Sequence, residues 1–231
     1  MFKNKYLIFF AIIVVFAAII YLPSIKYDFI SWDDYTYIKN NTVLQNGNFK
    51  DIYFFDKFIS LTLCSYTKPD ISHQDYLVIH RSINIILHII NTLLVFALLS
   101  KFSRNKVLII IFGLLFFVHP MKVESVAWMM QRKDLLYTLF YLLATIAYLH
   151  YLTKKRVWIM LLIFGLGMLS SISKIQSLTL PLLLLTTDFI YKRKDYLLLF
   201  TEKIVLAYLM ISFIYNNPLH HWLIGLFLII Y

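Results

Sequence analysis

Apolar residues along this chain gather in long runs instead of alternating, at residues 6–22, 76–99, 106–118, 135–152, 157–172, 177–191, 204–215 and 219–231. A helix needs roughly 17 to 25 mostly apolar residues to cross a bilayer, because the hydrocarbon core is about 30 Å thick and each residue rises about 1.5 Å. The pattern predicts an all-α polytopic membrane protein of about seven to eight transmembrane helices in a single membrane domain over residues 1–231. The third run is short and meets His119-Pro120. It is either completed by residues 121–130 or stops below the surface, where protein surrounds it. The last run ends with the chain, which reads as a truncated chain or a helix awaiting a partner.

Charge orients these runs. Lys3 and Lys5 precede the first, Lys101, Arg104 and Lys106 follow the second, Lys154, Lys155 and Arg156 follow the fourth, and Lys192, Arg193 and Lys194 follow the sixth. Every second loop is basic, so the positive-inside rule predicts a cell-membrane protein with a cytoplasmic N-terminus and an extracytoplasmic first loop, residues 23–75. Lys3 and Lys5 also suit a cleaved signal peptide, but no small-residue cleavage site follows Ile20, so a retained signal anchor is expected. Composition agrees: 61% hydrophobic residues, 18% aromatics and a mean hydropathy of +0.74 exceed what a soluble domain carries. The net charge of +10 sits in clusters between apolar runs, which excludes nucleic acid as the expected partner. Cys64 stands alone, so no internal disulfide is expected, and no Cys/His spacing suits structural zinc.

The first loop carries Asp28, Asp33, Asp34, Asp51, Asp56, Asp70 and Asp75 out of the chain's 12 acids. Its aromatic and aliphatic clusters, as in "DIYFFDKFISLTLCSY", predict short amphipathic helices lying on the membrane surface. Asn40-Asn41-Thr42 is a glycosylation sequon on the same side. Asp33 and Asp34 lie between aromatic rings in "FISWDDYTYIKNN", an unusual place for paired acids. On the second run Arg81, Asn84, His88 and Asn91 recur at spacings of three and four, forming one helical stripe that should avoid lipid. Asn84 and Asn91 suit either helix-to-helix hydrogen bonding or a cavity, Arg81 is near enough to the outer end to snorkel, and Leu87 is expected to face outward.

The densest polar constellation is "VHPMKVESVAWMMQRKDLLYTLFYLLATIAYLHY", with His119-Pro120, Glu124 to Trp128, and Arg132-Lys133-Asp134. Together with "SWDD", "LHIINTLLVF" and "SISKIQSLTLPLLLLTTDFIY", in that order along the chain, it resembles the transmembrane and TPR-repeat O-mannosyltransferase family. The resemblance spans nearly the whole chain, but no TPR repeat is present. Members carry Lys-Glu or Lys-Pro where this chain has Lys174-Ile175, and Arg-Pro where it has Ile59-Ser60.

That resemblance implies a GT-C glycosyltransferase that moves a sugar, mannose by family, from a polyprenyl- or dolichyl-phosphate donor to a protein Ser/Thr hydroxyl. Asp33 and Asp34 then match the family's acidic pair, Glu124 the acid of the second outer loop, and Arg132 and Lys174 the bases near the donor phosphate. Residue chemistry fits these roles. A carboxylate supplies a general base, and Arg132, Lys133 and Lys174 are outer-side bases that run against the charge trend and suit phosphate, Arg132 as a bidentate ligand. Arg81, Asn84, His88 and His119 are expected as supporting polar groups, His119 as a helix cap. Glu124 also suits the N-terminus of a helix begun at Pro120. Two adjacent carboxylates with a third acid could hold Mg²⁺ or Mn²⁺ through oxygen ligands, but the resemblance points the other way, so no metal or other cofactor is favoured. The expected partners are the lipid-linked sugar, a protein or peptide acceptor, the membrane, and a separately encoded downstream half bearing TPR repeats. Two other classes remain open: an inactive anchor or assembly partner, and a transporter of lipid-linked sugar with the stripe as its pathway.

Overall fold

The computed structural model describes residues 13, 15–29, 34 and 73–215. The start of the first run, Asp33, the expected surface helices, the sequon and the last run lie outside the described residues. Those described form helices and short connections, with no strand among them.

Helix α1 (Val15–Lys26) ends in a 3-10 turn, Leu22–Lys26, with Pro23 in its first turn. It is followed by α2 (His73–Phe102), α3 (Lys106–Val118), α4 (Pro120–Ala127) and α5 (Arg132–Lys154). Helices α6 (Val157–Ser173), α7 (Leu180–Ile190) and α8 (Tyr196–Tyr215) complete the order. Local chemistry sets several of these ends. Asn105 caps α3, its side-chain oxygen accepting from the backbone N–H groups of Val107 at 3.0 Å and Leu108 at 3.4 Å. Pro120 lacks an N–H and forces His119 out of the helical region, so α3 stops and α4 restarts at an angle of 52°. His119 caps the restarted helix by accepting from Met121 N–H at 3.2 Å. Pro181, which the sequence places inside the sixth run, lies in the first turn of α7 after a 3-10 turn at Ile175–Thr179. The seventh run's helix starts at Tyr196, ahead of its apolar stretch at 204–215.

Two compact units divide the chain, and the boundary falls within α5 between Leu135 and Leu136. In the first unit Ile13, together with Ala17 and Tyr21 of α1, packs with Ile85, Phe117, Val126 and Leu135. A second cluster joins Phe29, Tyr76, Leu77, Met129 and Met130. The Phe96 ring of α2 lies where a Cβ on Gly113 of α3 would be, so these helices approach closely only because that position is glycine. In the second unit Ala144 and Tyr148 pack with Ile159, Ile163, Leu180, Leu184, Leu206 and Met210.

Among the described residues, two helical stretches are long and apolar enough to cross a membrane, Gln74–Phe102 and Met129–Lys154. The bent pair α3 and α4 makes a third if it counts as one span, and α1, α6 and Ile175–Ile190 are shorter apolar helices. Of the expected seven to eight crossings, two or three are long and apolar enough among the described residues. Proline is the physical reason at α3 and α7, because it interrupts the backbone hydrogen bonding of an otherwise apolar run. Val107, Leu108, Ile111, Phe112 and Leu115 leave an exposed apolar face on α3, a surface compatible with lipid.

The stripe on α2 is turned inward as its spacing implies: Arg81, Asn84, His88 and Asn91 are all buried. One alternative and one expectation fail. Arg81 does not snorkel but is among the largest fully buried side chains, and Leu87 packs against the first unit's core while Ile86, 55% exposed, faces out. The segments around α1 and α4 close over Arg81, and position 87 falls on the side of α2 that meets the first unit's core, with position 86 turned away from it.

Candidate functional site

Two buried arginines organise the polar interior of the first unit. Arg81, about two turns from the start of α2, donates through Nε to Ala127 O at 3.3 Å and through Nη2 to Asp28 O at 2.9 Å. Its Nη1 donates to Ile25 O at 3.4 Å and to Tyr27 O. These carbonyls belong to the last turn of α1, the chain just past it and the end of α4, where helices leave acceptors without partners. Arg81 thus ties both segments to α2. Asp34 and Asp28 contribute favourable charge near the same guanidinium.

Arg132 opens α5 and is equally buried. Its Nε donates to Asn84 Oδ1 at 2.8 Å, and its Nη2 reaches His80 Nδ1 at 2.9 Å and His80 O at 2.8 Å. Asn84 in turn donates through Nδ2 to Val126 O at 3.3 Å and Trp128 O at 3.4 Å. Further along the stripe, His88 Nε2 meets Phe117 O at 3.0 Å beside the Tyr21 hydroxyl, and Asn91 donates to Leu135 O at 2.9 Å. One helical face therefore satisfies the broken backbone between α3 and α5, which is the chemistry that an interrupted helix at membrane depth requires.

Asp34 is fully buried, and its Oδ1 accepts from the Trp128 indole N–H at 2.8 Å. The described part of the expected acidic pair is thus held by the segment connecting α4 to α5, where Trp128 sits extended between the two helices. Glu124 lies on the exposed face of α4, beyond its first turn, and accepts from Gln131 Nε2 at 3.1 Å. It does not serve the helix N-terminus; His119 does. Ser125 Oγ donates weakly to Asp134 Oδ2 at 3.5 Å, and Lys133 is half-buried beside Arg132. Asp34, Glu124, Arg132, Lys133, Arg81, Asn84, His88 and His119 accordingly all fall in the first unit. Lys174 belongs to the second, where it is half-buried at the head of the 3-10 turn Ile175–Thr179. Asp33 lies outside the described residues.

Sequence reasoning missed two features. His80 was legible: it precedes Asn84 by one turn, so the stripe extends to it. The second is a charge cluster in the second unit. Asp188 of α7 meets Lys203 Nζ at 2.6 Å and Arg193 Nη1 at 3.6 Å, and Arg193 meets Glu202 at 2.6 and 3.0 Å. The Tyr148 hydroxyl donates to Asp188 Oδ1 at 2.5 Å, and that of Tyr151 donates to Glu202 Oε1 at 2.7 Å. Hydrogen bonds to Glu202 raise the Arg193 pKa above its ordinary value. The only sequence signal was charge at the edge of an apolar run, and the pairing itself is long-range. Among the described residues no group of three His, Cys, Asp or Glu side chains is arranged to hold a metal ion. No family model, curated protein or solved structure matches the chain.

Proposed function

We propose that the chain is the multi-pass membrane part of a GT-C-type glycosyltransferase, with its N-terminus in the cytoplasm and its acidic loop outside. It transfers a sugar, mannose by resemblance, from a polyprenyl- or dolichyl-phosphate donor to a protein Ser/Thr hydroxyl. The observation that carries this reading is the buried Asp34 carboxylate, held by Trp128 in the same unit as Arg81 and Arg132. Buried ionisable groups in an apolar helical protein are costly and are retained where they act.

In the proposed reaction the acceptor hydroxyl oxygen attacks the anomeric carbon, the bond from that carbon to the phosphate oxygen breaks, and the polyprenyl phosphate leaves with the electron pair. A carboxylate of the Asp33–Asp34 pair takes the hydroxyl proton, and no covalent sugar-enzyme intermediate forms. Arg132 and Lys133 supply positive charge for the phosphate as it departs. Glu124, on the exposed face of α4, is suited to orient the acceptor.

Transfer of radiolabelled mannose from polyprenyl phosphate to a Ser/Thr peptide tests the reading, using purified protein together with any downstream-encoded half. Asp33→Asn or Asp34→Asn should lower turnover at least about a hundredfold while donor binding persists, since the amide keeps the shape and loses the base. Unchanged transfer by both variants would refute the catalytic assignment.

A further inference from the structure

The second unit contains a cavity of about 300 Å³ at the end of α5, lined by Tyr151, Thr153, Lys155, Arg193, Lys194 and Asp195 among others. That volume is at the small end of ligand pockets, the size of a head group. Two non-glycine residues with left-handed backbone among the described residues, Lys155 at φ 46° and Lys192 at φ 52°, follow α5 and α7 beside it. This backbone region favours glycine, yet both positions hold lysine.

Charge in the neighbourhood does not balance. Asp188 and Glu202 neutralise Lys203 and Arg193. What remains is Lys155 and Lys194 on the wall, with Lys154, Arg156 and Lys192 flanking them in the chain, against Asp195 alone. The Lys155–Asp195 pair, at 3.1 Å, is open to solvent and therefore weak and exchangeable. An independent observation points to an acceptor. Arg193 lines the cavity with its side chain only 7% exposed, and its Nε has no hydrogen-bond partner although its Nη groups are occupied. A buried guanidinium N–H left unmade is costly, and although Nε is closed to solvent, a shift of this lining side chain toward the cavity would offer it to an oxygen there. The carbonyl ends of α5 and α7 oppose an anion here, and the surrounding lysines offset that effect.

We propose that this cavity binds a phosphate group, as carried by an anionic phospholipid head group or by a soluble phosphate, through Lys155, Lys194 and the Nε of Arg193. The charge pattern assigns this end to the cytoplasm, so the site is separate from the proposed transfer chemistry and stands or falls without it. Exposed Val157, Trp158, Tyr196 and Leu197 lie close by in the chain, apolar enough to meet the acyl part of a lipid.

The test uses the whole purified chain in phosphatidylcholine nanodiscs, with and without phosphatidic acid, and with inorganic pyrophosphate added to the phosphatidylcholine sample. Bound phosphatidic acid is counted by native mass spectrometry, and pyrophosphate by its shift of the melting temperature. Lys155→Gln with Lys194→Gln is the test variant. Lys101→Gln with Arg104→Gln removes the same charge from another basic loop. Each cavity lysine should contribute about fivefold in affinity, so the test variant should bind about 25-fold more weakly while the control stays within about twofold. Binding of phosphatidic acid alone would identify a lipid head group, and binding of pyrophosphate as well would identify phosphate itself; both support the site. Equal losses in the two double variants, no loss in either, or no preference for phosphatidic acid or pyrophosphate would overturn it.

Discussion

The bond between Trp128 and Asp34 can be isolated with little collateral change. Trp128→Phe removes the indole N–H that donates to Asp34 Oδ1 at 2.8 Å and leaves an aromatic ring against Met129 and Met130. A hydrogen bond to a charged acceptor contributes about 1.5–3 kcal/mol, and one between neutral groups about 0.5–1.5 kcal/mol. Asp34→Asn keeps the acceptor oxygen and discards the charge. Trp128→Phe should therefore cost ~2 kcal/mol in the native background and ~1 kcal/mol in the Asp34→Asn background, giving a coupling of ~1 kcal/mol. The apolar area lost on going from Trp to Phe is common to both backgrounds and cancels in the cycle. Reversible unfolding of all four proteins in mixed micelles, followed by far-ultraviolet circular dichroism, supplies the energies. A coupling below about 0.5 kcal/mol, the scatter expected of independent sites, would refute the assignment of Trp128 as the group that holds Asp34.

Three further predictions concern the fold and its setting. His88→Leu should destabilise the protein by ~1 kcal/mol, because it removes one of the two side chains that meet Phe117 O and leaves only the Tyr21 hydroxyl there, whereas Ile86→Ala on the outward face should change stability by less than ~0.5 kcal/mol in the same unfolding assay. Burial pushes the Glu202 carboxyl up, but hydrogen bonds from Arg193 and Tyr151 and the charges of Lys203 and Arg193 outweigh it and leave its pKa below the ordinary value. A lowered folded-state value gives stability that is present above the unfolded carboxylate range and lost as pH falls through the lowered value. The melting temperature should thus drop below about pH 4, and Glu202→Gln should flatten that drop. Cysteine at position 124 should react with a membrane-impermeant thiol reagent in intact cells and cysteine at position 155 should not, provided Cys64 is first replaced by Ser; the reverse pattern would invert the topology.

Apolar periodicity alone places the cores of α2, α3, α5 and α6, and it gives the bounds Lys106–Val118 without error. It also turns the polar stripe of α2 inward, because burying Asn84 and His88 depends only on helical spacing and the cost of polar groups in an apolar medium. The His119 cap was equally local and legible, whereas the Asn105 cap, although it too acts within a few residues, was not expected. What satisfies the stripe was not legible. Arg81 serves carbonyls at positions 25, 27, 28 and 127, and Arg132 finds Asn84, both through contacts between residues far apart in sequence. A charged side chain near a helix end reads the same in sequence whether it reaches toward water or closes on a broken backbone, and only the packing of α1 and α4 against α2 decides for Arg81. The same holds for the cluster of Asp188, Arg193, Glu202 and Lys203. Sequence shows charges at the margins of apolar runs, while their mutual neutralisation needs α7 and α8 brought side by side, since Coulomb attraction depends on distances of a few ångströms that no local pattern encodes.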